Sequence, residues 1–237
     1  MLDTCLSAPG PGLREQEKRV VILISGRGSN LRAILEAGLP LQIAAVISND
    51  PAAAGLKTAQ DWGVPISALD HRQFADREAF DAALQALIDS YQPQLVVLAG
   101  FMRILSAPFV SHYVNRLLNI HPSLLPAFPG LHTHRRALQE GVRLHGCTVH
   151  FVTAQLDHGP IVAQAAVPVW PGDSEDTLGA RVLRCEHQLY PQVLRWWAQD
   201  RLVWQANGGV ALTAPQPPAP ELGAGGQWFV PALEHGA

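Results

Sequence analysis

An asparagine and a histidine separated by one residue are the side chains of this sequence best suited to chemistry. Asn119 and His121 alternate with Leu118 and Ile120 in the stretch LLNIHPSLLP. Residues two apart project from the same face of an extended chain, and Pro122 favours an extended conformation for the histidine before it. The two polar side chains are therefore predicted to lie side by side, with the leucine and isoleucine facing a core.

The pairing of an amide with an imidazole suits acyl transfer. An amide N–H can donate to an oxyanion that develops on a carbonyl, and a histidine can carry a proton to or from the reacting atoms. The same two residues would equally serve to cap a strand end and bond to a neighbouring loop. At this point the sequence leaves that structural role open.

A candidate anion site follows the first buried strand. Residues Arg19–Ser25 are mostly apolar and β-branched, which is typical of a strand buried on both faces. The turn GRGSN then leads directly into a helical pattern, and such a turn aims backbone N–H groups and the helix dipole at an anion. Gly28, Ser29 and Asn30 are therefore predicted to bind phosphate; the alternative is a tight turn with Ser29 as the helix N-cap.

This anion is expected to be a phosphate monoester rather than a dinucleotide. A dinucleotide fingerprint has a third glycine three residues after the second and an acid after the next strand. Here Leu31 occupies the glycine position, and Asp50 matches the acid only loosely. Ser29 and Asn30 offer hydroxyl and amide groups where a dinucleotide site relies on glycine.

Strands and helices alternate along the first two-thirds of the chain. Strands are predicted at 41–47, 64–66, 95–100 and 117–121, and helices at 31–37, 50–63, 76–91, 106–113 and 135–141. This alternation predicts a parallel α/β sheet with right-handed crossovers. Because ligands of such sheets bind beyond the carboxyl ends of the strands, the segments 26–30, 100–105 and 119–121 are expected to share one cleft.

From Cys147 onward the pattern changes. Alternating strands at 148–153 and 161–167 flank the loop LDHGP, which predicts an antiparallel hairpin. Asp157 in this loop is a carboxylate that the sheet could hold near His121, or else an ordinary turn aspartate. A long helix is predicted from 173 to about 201, with Pro191 expected to kink or divide it and Glu186 expected on a solvated face.

Composition limits the class of protein. The 237 residues carry a formal net charge of −3, so no basic field indicates a nucleic-acid or membrane partner. Cys5, Cys147 and Cys185 have neither disulfide nor zinc spacing, the ten histidines lack partners at ligand spacing, and no metal is predicted. No apolar run reaches the ~20 residues of a membrane span. A reducing, cytoplasmic compartment is expected.

One domain is predicted over residues 19–204. Residues 1–18 have no hydrophobic periodicity and are interpreted as a disordered leader, whereas the Pro- and Gly-rich residues 205–237 are interpreted as a flexible tail. The chain is expected to act as a monomer or a homodimer.

These motifs together resemble the phosphoribosylglycinamide formyltransferases, a folate-dependent family of purine synthesis. The segments that carry the resemblance are ISGRGSNL at 24–31, VVLAGFMRIL at 96–105, LLNIHPSLLPAFPGLHTHRRAL at 117–138 and VHFVTAQLDHGPIV at 149–162. The HPSLLP string is shared with other formyl-folate enzymes, whereas the combination of the GSN turn with PGLHTH is more specific. The match runs from about residue 19 to 202.

The resemblance implies a fold and a reaction. The fold would be a Rossmann-like, mostly parallel sheet with flanking helices and an antiparallel C-terminal portion. The enzyme would transfer the formyl group of 10-formyltetrahydrofolate to the amine of phosphoribosylglycinamide, with small-molecule partners only. Asn119, His121 and Asp157 match the catalytic residues of the family, and His150 matches a supporting histidine.

The resemblance also assigns binding residues. The substrate phosphate is expected at Gly28, Ser29 and Asn30, with Glu186 near the glycinamide amine. The formyl-folate cosubstrate is expected to contact Asn119 and Asp157 together with a further set: Arg77, Met102, Arg103, Ile104, Leu105, Gln155 and Leu156.

Two departures and three alternatives accompany the resemblance. Arg27 lies inside the phosphate turn, and His158 follows the aspartate of the LDHGP loop, where the family commonly has smaller residues. A formyltetrahydrofolate hydrolase usually carries an N-terminal regulatory domain, and a methionyl-tRNA formyltransferase needs a basic C-terminal domain. A dinucleotide-binding oxidoreductase or nucleotide sensor is the alternative from another class, disfavoured by the missing third glycine.

Overall fold

The computed structural model describes residues 17–213 and 226–234. The elements in chain order are β1 (Lys18–Ile24), α1 (Ser29–Glu36), β2 (Leu41–Ser48), α2 (Ala54–Asp61), β3 (Ile66–Ala68), a 3-10 turn (His71–Gln73), α3 (Arg77–Ser90), β4 (Leu95–Leu98), α4 (Ala107–His112), β5 (Leu117–His121), α5 (Thr133–Gln139), β6 (Leu144–Phe151), β7 (Ile161–Pro168), α6 (Glu175–Ala198), β8 (Leu202–Trp204), β9 (Val210–Leu212) and β10 (Trp228–Val230).

Eight of these strands form one sheet in the order β10-β7-β6-β5-β4-β1-β2-β3. Strands β1 to β5 pair in parallel, whereas β5–β6, β6–β7 and β7–β10 are antiparallel. The predicted fold class, a mostly parallel sheet with helices and an antiparallel C-terminal portion, is confirmed. Because β4, β5 and β1 are adjacent, the loops that follow them end at one edge of the sheet.

Helices cover both faces of the sheet and divide the core in two. On one face, Ile22 and Ile24 of β1 belong to the cluster that contains Leu31 of α1 and Leu189 of α6. On the other face, Leu23 of β1 belongs to the cluster that contains side chains of α3 and α4. The central strands are therefore buried on both sides, as their continuous apolar runs predicted.

The long helix α6 is not divided at Pro191. It is helical without interruption from Glu175 to Ala198, and a capping box of Ser174 and Thr177 fixes its first turn. Tyr190, Pro191 and the next three residues, 192–194, are buried. Packing against the sheet therefore outweighs the loss of one backbone hydrogen bond at the proline.

Part of the predicted flexible tail is ordered. Strands β8 and β9 form a hairpin, and β10 adds to the edge of the main sheet by pairing with β7. Phe229 is buried in the core, and Arg201 pairs with Glu234 at 2.7 Å. The sequence pattern WFV is too short to signal a strand without this tertiary partner. Residues 1–16 of the predicted leader 1–18, together with residues 214–225 and 235–237 of the predicted tail, lie outside the described residues.

None of the helices described here combines the length and the apolar character that crossing a membrane requires.

Candidate active site

Strand β5 carries Asn119 and His121 to one side of the sheet edge. Asn119 pairs in register with Leu98 of β4 on one side and with His150 of β6 on the other. Both polar side chains line a cleft of about 610 Å³, whereas Leu118 is fully buried in the core. The strand thus sets the side-by-side geometry that its alternating pattern predicted.

Two protein groups face the ring nitrogens of His121. Its Nε2 lies 3.0 Å from the carbonyl oxygen of Phe128, and its Nδ1 lies 3.5 Å from Oδ2 of Asp157. Because a carbonyl can only accept, the hydrogen-bond network assigns a proton to Nε2. Nδ1 is then the ring atom that carries a free lone pair, and it faces the Asp157 carboxylate.

Asp157 reaches the cleft from the loop between β6 and β7. Its Oδ2 accepts a hydrogen bond of 2.7 Å from the backbone N–H of Gly130, and its backbone has a left-handed φ of 51°. Two residues later, a Cβ on Gly159 would lie 1.7 Å from the carbonyl oxygen of Phe151. The loop is therefore pressed against β6 at a point where only glycine fits.

His150 sets the direction of the Asn119 amide. Its Nδ1 lies 3.0 Å from the Phe151 carbonyl oxygen, and its Nε2 lies 3.2 Å from Nδ2 of Asn119. Burial lowers the pKa of His150, which favours the neutral ring. With the proton on Nδ1, Nε2 accepts from the Asn119 amide, so this amide presents an N–H rather than an oxygen to His150.

The predicted phosphate turn leads into α1 without a side-chain cap. Gly28 is the N-cap with a left-handed φ of 71°, and Ser29 is the first helical residue, so the alternative of a Ser29 N-cap is not observed. A Cβ at position 28 would lie 2.9 Å from Cα of Gly55, which explains the need for glycine there. The first N–H groups of a helix have no partner within it, which leaves them available to a ligand.

Asn30 connects this turn to the long helix α6. Its Nδ2 donates to Oε2 of Glu186 at 2.7 Å, and both side chains are 7% exposed. The expectation from the residues alone that Glu186 lies on a solvated face was wrong, because α6 packs against α1 on the same side of the sheet. Burial raises the pKa of the Glu186 carboxyl, and the Asn30 hydrogen bond opposes this shift. The buried Oδ1 of Asn30 has no partner among the described residues.

The predicted folate-binding residues divide into two groups. Met102, Arg103, Ile104, Leu105 and Leu156 line the cleft with the three polar residues. Met102 and Ile104 are 70% and 61% exposed, an apolar surface open to a ligand.

Arg77 and Gln155 do not line this cleft. Arg77 lies at the start of α3 and pairs with Glu78 at 3.1 Å, and Gln155 is exposed on the loop. The structure therefore does not bring these two side chains to the predicted site.

Sequence reasoning missed part of the cleft wall. Residues 130–134, at the end of the β5–α5 loop and the start of α5, line it, and Nδ1 of His134 lies 3.1 Å from Nε2 of the buried His145. The segment PGLHTH contributes to the family resemblance but supplies none of the predicted site residues; a left-handed residue at His132 is what turns the chain there. Within residues 17–213 and 226–234, no cluster of three or more histidine, cysteine or acidic residues could hold a metal ion.

Comparison with known proteins agrees with this geometry. The family model described as formyl transferase matches residues 18–194. The chain is 54% identical over 192 residues to the phosphoribosylglycinamide formyltransferase of Escherichia coli K12, covering 79% of this chain and 91% of that protein. It is 44% identical over 200 residues to the human trifunctional purine biosynthetic protein adenosine-3, covering 83% of this chain and 20% of that protein.

Solved structures give the same result. The glycinamide ribonucleotide transformylase 1 of Symbiobacterium toebii superposes with a TM-score of 0.81 at 45% identity, covering 87% of this chain and 99% of that one. The phosphoribosylglycinamide formyltransferase of Coxiella burnetii gives a TM-score of 0.79 at 49% identity, covering 83% and 94%. The chain therefore belongs to the formyl transferase family, among the phosphoribosylglycinamide formyltransferases.

Proposed function

We propose that this enzyme transfers the formyl group of 10-formyltetrahydrofolate to the amine of 5'-phosphoribosylglycinamide, giving formylglycinamide ribonucleotide and tetrahydrofolate. The observation that carries the proposal is the meeting of Asn119, His121 and Asp157 in one cleft, beside an apolar wall and next to the start of α1. Because the chain belongs to the phosphoribosylglycinamide formyltransferases, formyl transfer in purine biosynthesis is the reaction that this cleft is expected to catalyse.

The chemistry begins with attack of the substrate amine on the formyl carbon. A tetrahedral intermediate forms, with negative charge on the former formyl oxygen. Asn119 donates to this oxygen from the amide that His150 orients, and preorganised donors of this kind are usually the largest single contribution to such a reaction. Collapse of the intermediate breaks the bond to N10 of the folate.

Proton transfer completes the reaction. The attacking amine loses one proton and N10 gains one, so the net reaction neither consumes nor releases a proton. His121 and Asp157, with Nδ1 and Oδ2 3.5 Å apart, are the groups proposed to move this proton. That separation leaves the pair able to tighten on the substrate, as catalytic hydrogen bonds often do.

Substrate and cosubstrate are proposed to enter from opposite sides of the reacting carbon. The phosphate binds at Gly28, Ser29 and Asn30, where the dipole of α1 favours an anion. Glu186, held by Asn30, accepts from hydrogen-bond donors of the substrate. The folate ring packs on the apolar side chains of the segment 102–105 and on Leu156.

The remaining assignments are also proposals. Small molecules are the only partners required, and the enzyme would act as a monomer or homodimer. The two buried free thiols, Cys147 and Cys185, suit a reducing cytoplasm.

Loss of the formyl donor in the presence and absence of phosphoribosylglycinamide tests the function. Acceptor-dependent loss, with formation of formylglycinamide ribonucleotide, is the expected result. Loss that proceeds without acceptor would instead assign the chain as a formyltetrahydrofolate hydrolase, and the absence of either reaction with folded protein would reject formyl transfer.

A further inference from the structure

A second cavity lies on the outer side of the phosphate turn. It measures about 570 Å³ and lies between α1 and α6. Ser29 lines it, so it adjoins the N–H groups proposed to hold the phosphate. Its cationic lining residues are Arg27, inside the turn, and Arg32, on the first turn of α1.

Both guanidinium groups are available to a ligand. Arg27 and Arg32 are exposed, and neither side chain takes part in an ion pair or hydrogen bond with any other described residue. Some other arginines are engaged: Arg181 pairs with Asp173 at 2.8 Å and Arg135 with Glu175 at 3.1 Å. Two unpaired cations beside one helix start are therefore a local feature of this chain.

The rest of the cavity is compatible with a phosphorylated sugar. Ala33, Ala37 and Leu183 supply an apolar wall, and the buried Nε2 of His187 has no partner among the described residues. Glu36 is the acidic lining residue and lies a full helical turn beyond Arg32, away from the phosphate turn. Positive charge is thus concentrated at the end of the cavity nearest the proposed phosphate.

The positive charge at this end of the cavity matters because the chain as a whole is negatively charged. With a formal charge of −3, the protein as a whole repels a dianionic phosphate at long range. We propose that Arg27 and Arg32 form a cationic mouth that captures the substrate phosphate and sets the preference for phosphorylated over dephosphorylated acceptors. This inference rests on the proposed function, because it names the groups that select that substrate.

The expected effect is modest and depends on salt. Exposed ion pairs contribute about 0.2–1 kcal/mol, so each Arg→Gln change should raise KM for phosphoribosylglycinamide about 1.4- to 5-fold. R27Q/R32Q should raise it about 2- to 30-fold, with kcat at saturating acceptor unchanged. The effect should largely disappear at about 0.5 M ionic strength, since the Debye length shortens from about 30 Å at 0.01 M toward about 3 Å at 1 M.

Matched variants distinguish capture of the substrate phosphate by Arg27 and Arg32 from an effect of the protein's overall charge. R143Q removes the same charge from an exposed arginine that lines neither cavity, and its KM should stay within twofold of the parent enzyme, a threshold of about 0.4 kcal/mol. R27K/R32K keeps the charge and should retain most of the affinity if capture is electrostatic. The dephosphorylated acceptor should respond equally weakly to all these changes.

A binding experiment keeps the inference testable apart from the reaction. Ribose 5-phosphate should raise the melting temperature of the parent protein and of R143Q, whereas ribose should not, and R27Q/R32Q should lose most of this shift at low salt. If ribose 5-phosphate shifted the melting temperatures of R27Q/R32Q and R143Q equally, or if KM changed equally in both, the proposed role of Arg27 and Arg32 would be rejected. If the parent protein lacked formyl transfer but showed the arginine-dependent shift, the proposed function would fail and the anion site would stand.

Discussion

Asn119 and His121 are held differently from Asp157, although all three line the same cleft. The first two belong to β5, which is paired on both sides, by β4 and by β6. Asp157 belongs to a loop, has a left-handed backbone, and is fixed by a hydrogen bond to Gly130 in another loop. Sheet register determines the position of the strand pair, whereas contacts between loops determine the position of the acid.

This difference indicates which groups of the site have a fixed position and which can adjust to a ligand. The oxyanion donor and the imidazole need fixed directions, which a central strand provides. The carboxylate must favour the charged imidazole and exchange a proton, and its separation of 3.5 Å from His121 allows it to close on a bound ligand. Changes to the loop backbone should therefore affect mainly turnover, and changes to the strand backbone should affect mainly stability.

Asp157→Asn should produce the largest effect on turnover. Asparagine keeps an oxygen that can accept from Gly130 N–H, so the loop should stay in place, but it cannot take up a proton or stabilise the imidazolium. General acid–base groups contribute about 10²–10⁴-fold, and kcat should fall by that factor.

Asp61→Asn provides the control for this substitution. Asp61 is an exposed acid that pairs with Lys57 on α2 and does not line the cleft. Its kcat should be unchanged. Steady-state kinetics that gave Asp157→Asn less than about tenfold loss would remove the carboxylate from the mechanism.

Two glycine substitutions contrast the loop with the sheet directly. A Cβ on Gly159 would meet the Phe151 carbonyl oxygen at 1.7 Å, and a Cβ on Gly146 would meet the Ala165 carbonyl oxygen at 1.9 Å. Gly159→Ala should displace Asp157 and lower kcat by about 10–100-fold, since small misplacements of a reacting group are costly. Gly146→Ala should destabilise the β6–β7 pairing by about 1–3 kcal/mol, as overpacking does.

Urea unfolding and kinetics on both glycine variants measure this contrast. Gly159→Ala should show the larger loss in kcat, and Gly146→Ala the larger loss in unfolding free energy. The reverse pattern would mean that the loop stabilises the fold and the β6–β7 pairing positions the acid.

A smaller predicted effect concerns the buried His145 and the free energy of unfolding at acidic pH. Burial lowers the pKa of His145 to about 4. Because this value lies below the ordinary 6.5, His145 takes up its proton at higher pH in the unfolded chain than in the folded one. The folded state therefore suffers no penalty from His145 above pH 6.5, and the free energy of unfolding declines as the pH falls from 6.5 toward 4. Replacing this histidine should make the acid-induced loss of unfolding free energy smaller by roughly 1–3 kcal/mol.

Urea titrations of His145→Asn and the parent protein at pH 7.5 and 4.5 measure this difference. His150, whose pKa burial also lowers, remains in both proteins and cancels in the comparison, whereas His134 contacts His145 directly, so the difference reports on this histidine pair. An equal decline in the two proteins would show that His145 does not contribute to acid destabilisation.

The sequence predicted what depends on periodicity. Alternation at Leu118–His121 and the apolar run at β1 were enough to anticipate the sheet, its central strands and the orientation of the Asn119 and His121 side chains. Burial on both faces is written directly into such patterns.

What the sequence could not predict depends on tertiary partners. Glu186 has an ordinary helical context and becomes buried because α6 packs against α1, where Asn30 lies opposite it. β10 forms because β7 offers an unpaired edge. The hydrogen bond from Gly130 to Asp157 joins residues 27 apart that share no pattern.

A double-mutant cycle on His121→Ala and Asp157→Asn tests the central claim most directly, because it asks whether the strand residue and the loop residue act as one unit on the reacting carbonyl. The account predicts that the double variant loses no more than about tenfold in kcat beyond the worse single variant, since groups that act together are strongly non-additive. A double variant whose loss equals the product of the two single losses would contradict it.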